Sequence, residues 1–211
     1  MSTFMPSPTE GAFQQGEILT DVIQVHIRVE TLAAGADDIE LQEKNHPYAV
    51  VITQACDLDW DFKVQNGEQD QNLRELKLVP NILLCEVIDE NTLRPKIRGS
   101  DIWKRIVGNQ DERYHSFPPI KATADLLGQG LPALIVDFKR VFTIPSTELY
   151  RRLVLGLRRR AVLTNPFLQH FSSRFGYYCL RVALPESAVE VLPAQQPNHQ
   201  LNAAVPPPVH E

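Results

Sequence analysis

The sequence predicts a mainly β domain with appended helices, a small antiparallel barrel followed by a C-terminal helical extension. Three observations carry this expectation. Strand-like segments come first, broken by one short helix, and helical segments come last. Strands and helices do not alternate regularly, which argues against a doubly wound parallel sheet. No glycine-rich phosphate loop opens a helix.

The first dozen residues lack a structure-forming pattern and carry Pro6 and Pro8, so they read as a flexible lead-in over 1–15. In "QGEILTDVIQVHIRVE", Val25, Ile27 and Val29 alternate with polar residues, as in a half-buried strand. "TLAAGADDIELQEKN" reads as a loop or a short hairpin arm. "HPYAVVITQA" is rich in β-branched residues and predicts a central strand buried on both faces. "DFKVQNGEQDQNLREL" is polar and turn-rich, as in a long mobile loop. A further strand is expected around Ile82–Ile88, with Pro80 tolerated near its start.

Ser100 is placed to cap a short amphipathic helix carrying Ile102, Trp103, Ile106 and Val107, and Gly108 ends it. "RYHSFPPI" reads as an edge strand stopped by Pro118 and Pro119. "LPALIVDFKRVFTIP" supplies one or two more strands, and Ser146 then caps a helix. A last helix starts near Thr164–Pro166. Its Phe167, Phe171, Phe175, Tyr178 and Val182 form one apolar face, expected to pack on the barrel. The resulting division is 16–150 for the barrel, 151–185 for the helical extension and 186–211 for a disordered, proline-rich tail.

Composition excludes some classes. No apolar run approaches the roughly 18 residues that a membrane span needs. The N-terminus lacks a secretory pattern. Cys56, Cys85 and Cys179 are odd in number and widely spaced, which fits reduced thiols in the cytoplasm. Without a CxxC pair, no structural zinc site is expected, and no cofactor is implied. The net charge of −5 hides an asymmetry: residues 146–184 hold seven arginines against one acid, Glu148. Such a face meets phosphates or an acidic partner, or else neutralises the chain's own acids.

Four groups of side chains are candidates for chemistry or binding. In "AVVITQACDLDWDF", an extended chain would set Cys56 on one face and Asp57, Asp59 and Asp61 on the other. Converging carboxylates hold a hard cation, but the loop lacks a calcium-loop register, so an acidic rim or a polar network around Gln54 and Asp57 is the simpler reading. Cys56 as a nucleophile would need a base such as His26, His46 or His115, and is more simply a small buried thiol. Arg113, Tyr114 and His115 combine charge, stacking and imidazole as an RNA contact does, or form an ordinary strand edge. Asp137 is placed to pair with Arg113 or Arg140. Arg158, Arg159 and Arg160 are the strongest basic run, although a regular element would point them in different directions.

The order of segments resembles the MazF/PemK-like family of SH3-like barrels, many of them toxin endoribonucleases. "QGEIL" resembles the family's opening Arg-Gly-Asp-Ile, with Gln15 and Glu17 in place of the arginine and aspartate. "HPYAVVIT" resembles its second strand, "VPNILLCEVI" its third, and "LIVDFKRVFTIPSTEL" its late strand and last helix. The resemblance implies an SH3-like barrel in a cytoplasmic bacterial protein. It also implies a protein partner, such as an antitoxin, a protease or a transcription-factor-like component, with RNA and a second copy as further partners and no membrane. The sequence departs from the family at the active site. Pro47 stands where the family carries a catalytic arginine, and "NILLCEVI" lacks the assisting threonine. His46 and His115 are the remaining candidates for acid–base work. The expectation is therefore a regulatory or protein-interaction module of a toxin or defence system without nuclease activity. The alternative is a metal-independent endoribonuclease.

Overall fold

The computed structural model describes residues 2–29, 40–67 and 74–181, and Met1–Leu180 forms one compact unit. The tail expected over 186–211, Val182 and most of the "TLAAGADDIELQEKN" segment lie outside the described residues. Seven strands form the sheet: β1 (Phe4–Pro6), β2 (Glu17–Ile27), β3 (Leu41–Val51), β4 (Asn81–Asp89), β5 (Tyr114–Phe117), β6 (Leu134–Pro145) and β7 (Arg158–Leu163). Their order is β1-β7-β2-β3-β4-β6-β5, and every pairing is antiparallel. Helices α1 (Ala55–Gln65), α2 (Arg74–Lys77), α3 (Glu90–Leu93), α4 (Ser100–Val107), α5 (Ser146–Leu155) and α6 (Phe167–Cys179) surround it.

The class is therefore mainly β with appended helices. Hydrogen bonds do not close the sheet into a barrel. Its two edges meet instead through side chains, with the Phe4 ring of β1 edge-on to Phe117 of β5 at 5.4 Å. The outer edge of β5 is occupied by side chains: Asn109 accepts from the Ser116 amide and donates to its carbonyl, and Arg174 donates to the Tyr114 carbonyl. Such cover removes an open template for strand pairing.

Hydrophobic alternation accounts for the two-sided core. Ile18 and Val50 belong to one cluster, with Phe117, Phe138 and Phe171. Their neighbours Leu19 and Val51 belong to the other, with Leu58, Ile82 and Leu149. Successive strand residues face opposite sides, so residues 49–51 of β3 are buried on both, as their composition predicts, while 41–45 are exposed. The aromatic face of α6 lies on the first cluster through Phe167, Phe171, Phe175 and Tyr178.

Three expectations are corrected. The lead-in contains β1, and Phe4 and Phe13 are almost wholly buried. The segment after 150 is not a helical appendage, because β7 lies between β1 and β2. A run of arginines suggests a solvated face, but Arg159 and Arg160 are buried in ion pairs. The acidic stretch after Gln54 is the helix α1, not an extended rim. Its inward positions are Leu58, Asp61 and Val64, and the buried acid between the two apolar residues hides the helical period. In the opening motif, Gly16 has φ +77 and lies so close to α6 that an added Cβ would sit 2.8 Å from Leu168.

Candidate functional site

β4 and β6 lose register beside Glu86. Cys85 pairs with Val141 and Val87 with Val136, so one residue of β4 faces four of β6. Such a bulge redirects side chains. The Asp137 carboxylate steadies it by accepting from the Lys139 amide at 3.1 Å, while the Phe138 amide donates to the Arg113 carbonyl at 3.0 Å.

Asp137 is only 1% exposed and holds two guanidiniums. Arg113 donates to it through Nε at 2.7 Å and Nη2 at 2.6 Å, the planar bidentate form. Arg140 Nε lies 3.4 Å from the same carboxylate, and its Nη1 donates to Glu86 at 2.8 Å. Lys44 reaches the other oxygen of Glu86 at 3.3 Å. Arg113 also lies over the Tyr114 ring at 4.8 Å. The hydrogen bond that Arg113 donates to Asp137 holds the Arg113 pKa above its ordinary value, and burial raises that of the Tyr114 hydroxyl. Arg113 and Arg140 stay 38% and 53% exposed, so each presents charge outward while its base is fixed.

Glu86, Arg113, Tyr114, Asp137 and Arg140 line a cleft of about 540 Å³ with Pro47, Tyr48, Leu93, Lys96 and Ile97. Arg113, Arg140 and Lys96 are matched by Glu86, Asp89 and Asp137, so the cleft is close to neutral. It offers two oriented guanidiniums above an apolar floor. That arrangement takes a single carboxylate or similar anion with an apolar or aromatic neighbour.

The other predicted site residues lie elsewhere. His46 stacks on Phe142 with centroids 3.9 Å apart, and its Nε2 is 3.1 Å from Gln24 Oε1. Burial, and then Lys44, lower its pKa to about 4. His115 is buried against Phe117, Phe171 and His170, and burial, then Arg174, lower its pKa to about 3. The two rings share no neighbour, so they do not form an acid–base pair. Gln54 and Asp57 line a separate groove beside Phe171 and Phe175. Cys56 is exposed near Gln54 and Asp57, contrary to the buried-thiol reading.

On α1 the aspartates diverge: Asp59 pairs with Lys63 at 2.7 Å, whereas buried Asp61 binds Gln65, Ser146 and the Val79 amide. Among the described residues no group of three His, Cys, Asp or Glu side chains is placed to hold a metal ion. Arg159 is bound to Glu17 and to the carbonyls of Gly11 and Ala12, and Arg160 to Asp125. These two arginines are structural, and Arg158 alone of the three is exposed.

Sequence reasoning missed Glu86, Lys96 and Tyr48 as cleft residues. Arg113, Tyr114, Asp137 and Arg140 did leave a signal, by residue type. No family model, no curated protein and no solved structure matches the chain. No helix among the described residues is long and apolar enough to cross a membrane.

Proposed function

We propose that the chain is a protein-interaction module of MazF/PemK-like plan, serving a bacterial toxin or defence system, and that its cleft grips a carboxylate on an acidic segment of a partner protein. The observation that carries this reading is the pair of half-exposed guanidiniums fixed by buried Asp137. A preformed pair of donors meets a carboxylate without first ordering long side chains, and preorganisation of that kind strengthens binding. The near-neutral cleft favours one acidic group over a polyanion.

Ribonuclease action is disfavoured by the histidines. A proton acceptor with a pKa near 4 is a weak base at neutral pH, and His46 is 1% exposed with its ring flat on Phe142. RNA binding without cleavage keeps one point in its favour, the Arg113–Tyr114 stack, which matches the surfaces that bases stack on.

The test uses fluorescence polarisation with labelled peptides carrying Glu, Gln or a free C-terminal carboxylate, and a single-stranded RNA of mixed sequence. The acidic peptides are expected to bind, and Arg140→Gln to weaken them about tenfold, as loss of one charge-assisted contact does. Equal binding of the Glu and Gln peptides, or RNA cleaved by the purified chain, overturns the reading.

A further inference from the structure

β4 covers only part of β3. It pairs with β3 from Tyr48 to Val51 and then turns away, so that Val87, Ile88 and Asp89 stay with β6. On its other side β3 remains paired with β2 as far as Ile27↔Leu41. Over residues 41–46 the edge of β3 away from β2 therefore faces no strand among the described residues. An unpaired edge presents a row of backbone N–H and C=O groups, a ready template for another chain. Every second residue along it points both groups away from β2.

Two other edges are occupied. The outer edge of β5 is filled by the side chains of Asn109 and Arg174. The edge of β2 past Thr20 runs beside α5, where Asp21 and Ile23 share a shallow cavity with Arg152 and Leu155. The edge of β3 differs: residues 41–45 are all exposed, and its one proline, Pro47, stands where the edge meets the sheet. Six residues at about 3.3 Å each give about 20 Å of open edge, the length of an ordinary strand.

The open edge leads into the cleft. Pro47 and Tyr48 line one side of the cleft and residues 86–89 of β4 another, so the cleft fills the wedge where the two strands part. Lys44, on the open stretch, reaches Glu86 at 3.3 Å, which puts edge and cleft within one side chain's length of each other. A strand laid along residues 41–46 carries its next residue toward Arg113 and Arg140. Strand addition draws affinity from main-chain hydrogen bonds and specificity from side chains set in pockets. We propose that the open edge of β3 takes an extended segment of a different protein as an added strand, and that this strand ends in the acidic residue held in the cleft. This rests on the carboxylate grip of the proposed function, but the main-chain contact can fail on its own.

Capped peptides of about eight residues, alternating Thr and Val, test it. One carries Glu at its first position and one at its last, and each has a Gln counterpart. A strand parallel to β3 brings its last residue to the cleft, and an antiparallel strand its first. Hydrogen–deuterium exchange of the full chain is followed by NMR with and without saturating peptide. Among the amides of 41–46, the set bonded to β2 should exchange slowly in both states. The alternate set should slow about tenfold or more only when a Glu peptide binds. N-methylation of one alternate set of peptide residues should weaken binding about tenfold or more, as loss of two or more backbone hydrogen bonds does, and methylation of the other set should change little. Equal affinity of the Glu and Gln peptides overturns the carboxylate grip and the added strand together. A Glu peptide that binds and is weakened by Arg140→Gln, yet slows no amide of 41–46 or tolerates both methylations, leaves the grip standing and overturns the added strand.

Discussion

Asp137 is the only acid in β6, and its burial makes it depend on Arg113 and Arg140. Removing the better partner leaves a buried charge half paired. Removing the charge itself leaves two guanidiniums that water can reach. Arg113→Gln is therefore expected to cost about 3–5 kcal/mol, and Asp137→Asn only about 1–3 kcal/mol. Urea unfolding of both variants checks the order, and the reverse order would show that Asp137 is not the dependent member.

The two buried histidines set the acid response. Both have folded pKa values lowered, to about 4 for His46 and about 3 for His115, against 6.5 unfolded. Below 6.5 the unfolded chain takes up protons that the folded chain refuses. Their contribution is thus complete above pH 6.5 and falls as the pH drops toward 4, by up to about 1.4 kcal/mol per unit for each ring. Asp125, whose pKa is also lowered, loses its contribution only at lower pH. Urea midpoints between pH 7 and 4.5 should fall, and His46→Gln should flatten the curve. A flat curve in the parent would contradict the burial of these rings.

β7 is where the elements of the fold depart most from what the sequence displays. "RRRAVL" carries three arginines at the start of a buried strand, and a run of cations reads as solvent-facing. The acids that neutralise Arg159 and Arg160, Glu17 and Asp125, lie 142 and 35 residues away, a separation at which no local pattern registers. The alternating aspartates of α1 misled in a similar way, because Asp61 takes an inward position that an apolar residue would ordinarily mark. The apolar runs at 49–51 of β3 and 82–85 of β4, and the aromatic face of α6, were legible, since burial there follows from composition alone. The cleft was legible only in part. Arg113, Tyr114 and Arg140 stood out by residue type, but Glu86 and Lys96 join them through a bulge and a turn that leave no sequence mark.

The position of β7 has a direct consequence. A chain ending at residue 156 would lack the strand between β1 and β2, leaving Glu17 buried without Arg159. Such a chain is expected not to fold, as judged by near-UV circular dichroism and amide exchange. A cooperatively folded 1–156 would restore the view of the C-terminal segment as an appendage. Within the full chain, Phe171→Ala should cost about 3–5 kcal/mol, because that ring is 1% exposed at the centre of the aromatic cluster.

Charge over the described residues bears on RNA binding at the scale of the whole molecule. The net charge is −5, yet residues 146–184 contain seven arginines. Five of these are committed internally. Arg151 and Arg152 share Glu148, Arg159 holds Glu17, Arg160 holds Asp125, and Arg174 donates to the carbonyls of Asn109, Asp111 and Tyr114. Arg152, Arg159, Arg160 and Arg174 are thus drawn inward, while Arg151 and Arg158 keep exposed charge, so less of the run is left to neutralise phosphates than its sequence suggests. Non-specific nucleic-acid affinity scales with the number of phosphates neutralised, and its salt dependence with the same number. A single-stranded RNA of mixed sequence is therefore expected to bind more weakly than about 100 µM at physiological salt, with a shallow slope of log affinity against log salt. The acidic peptides gripped by Arg113 and Arg140 should show an equally shallow slope but tighter binding, because only one carboxylate is engaged. Titrations of both probes across a salt series measure this directly. A steep RNA slope, reporting many released counterions, would mean that the internal pairs open to meet nucleic acid, and would reverse the assignment of the arginines as structural.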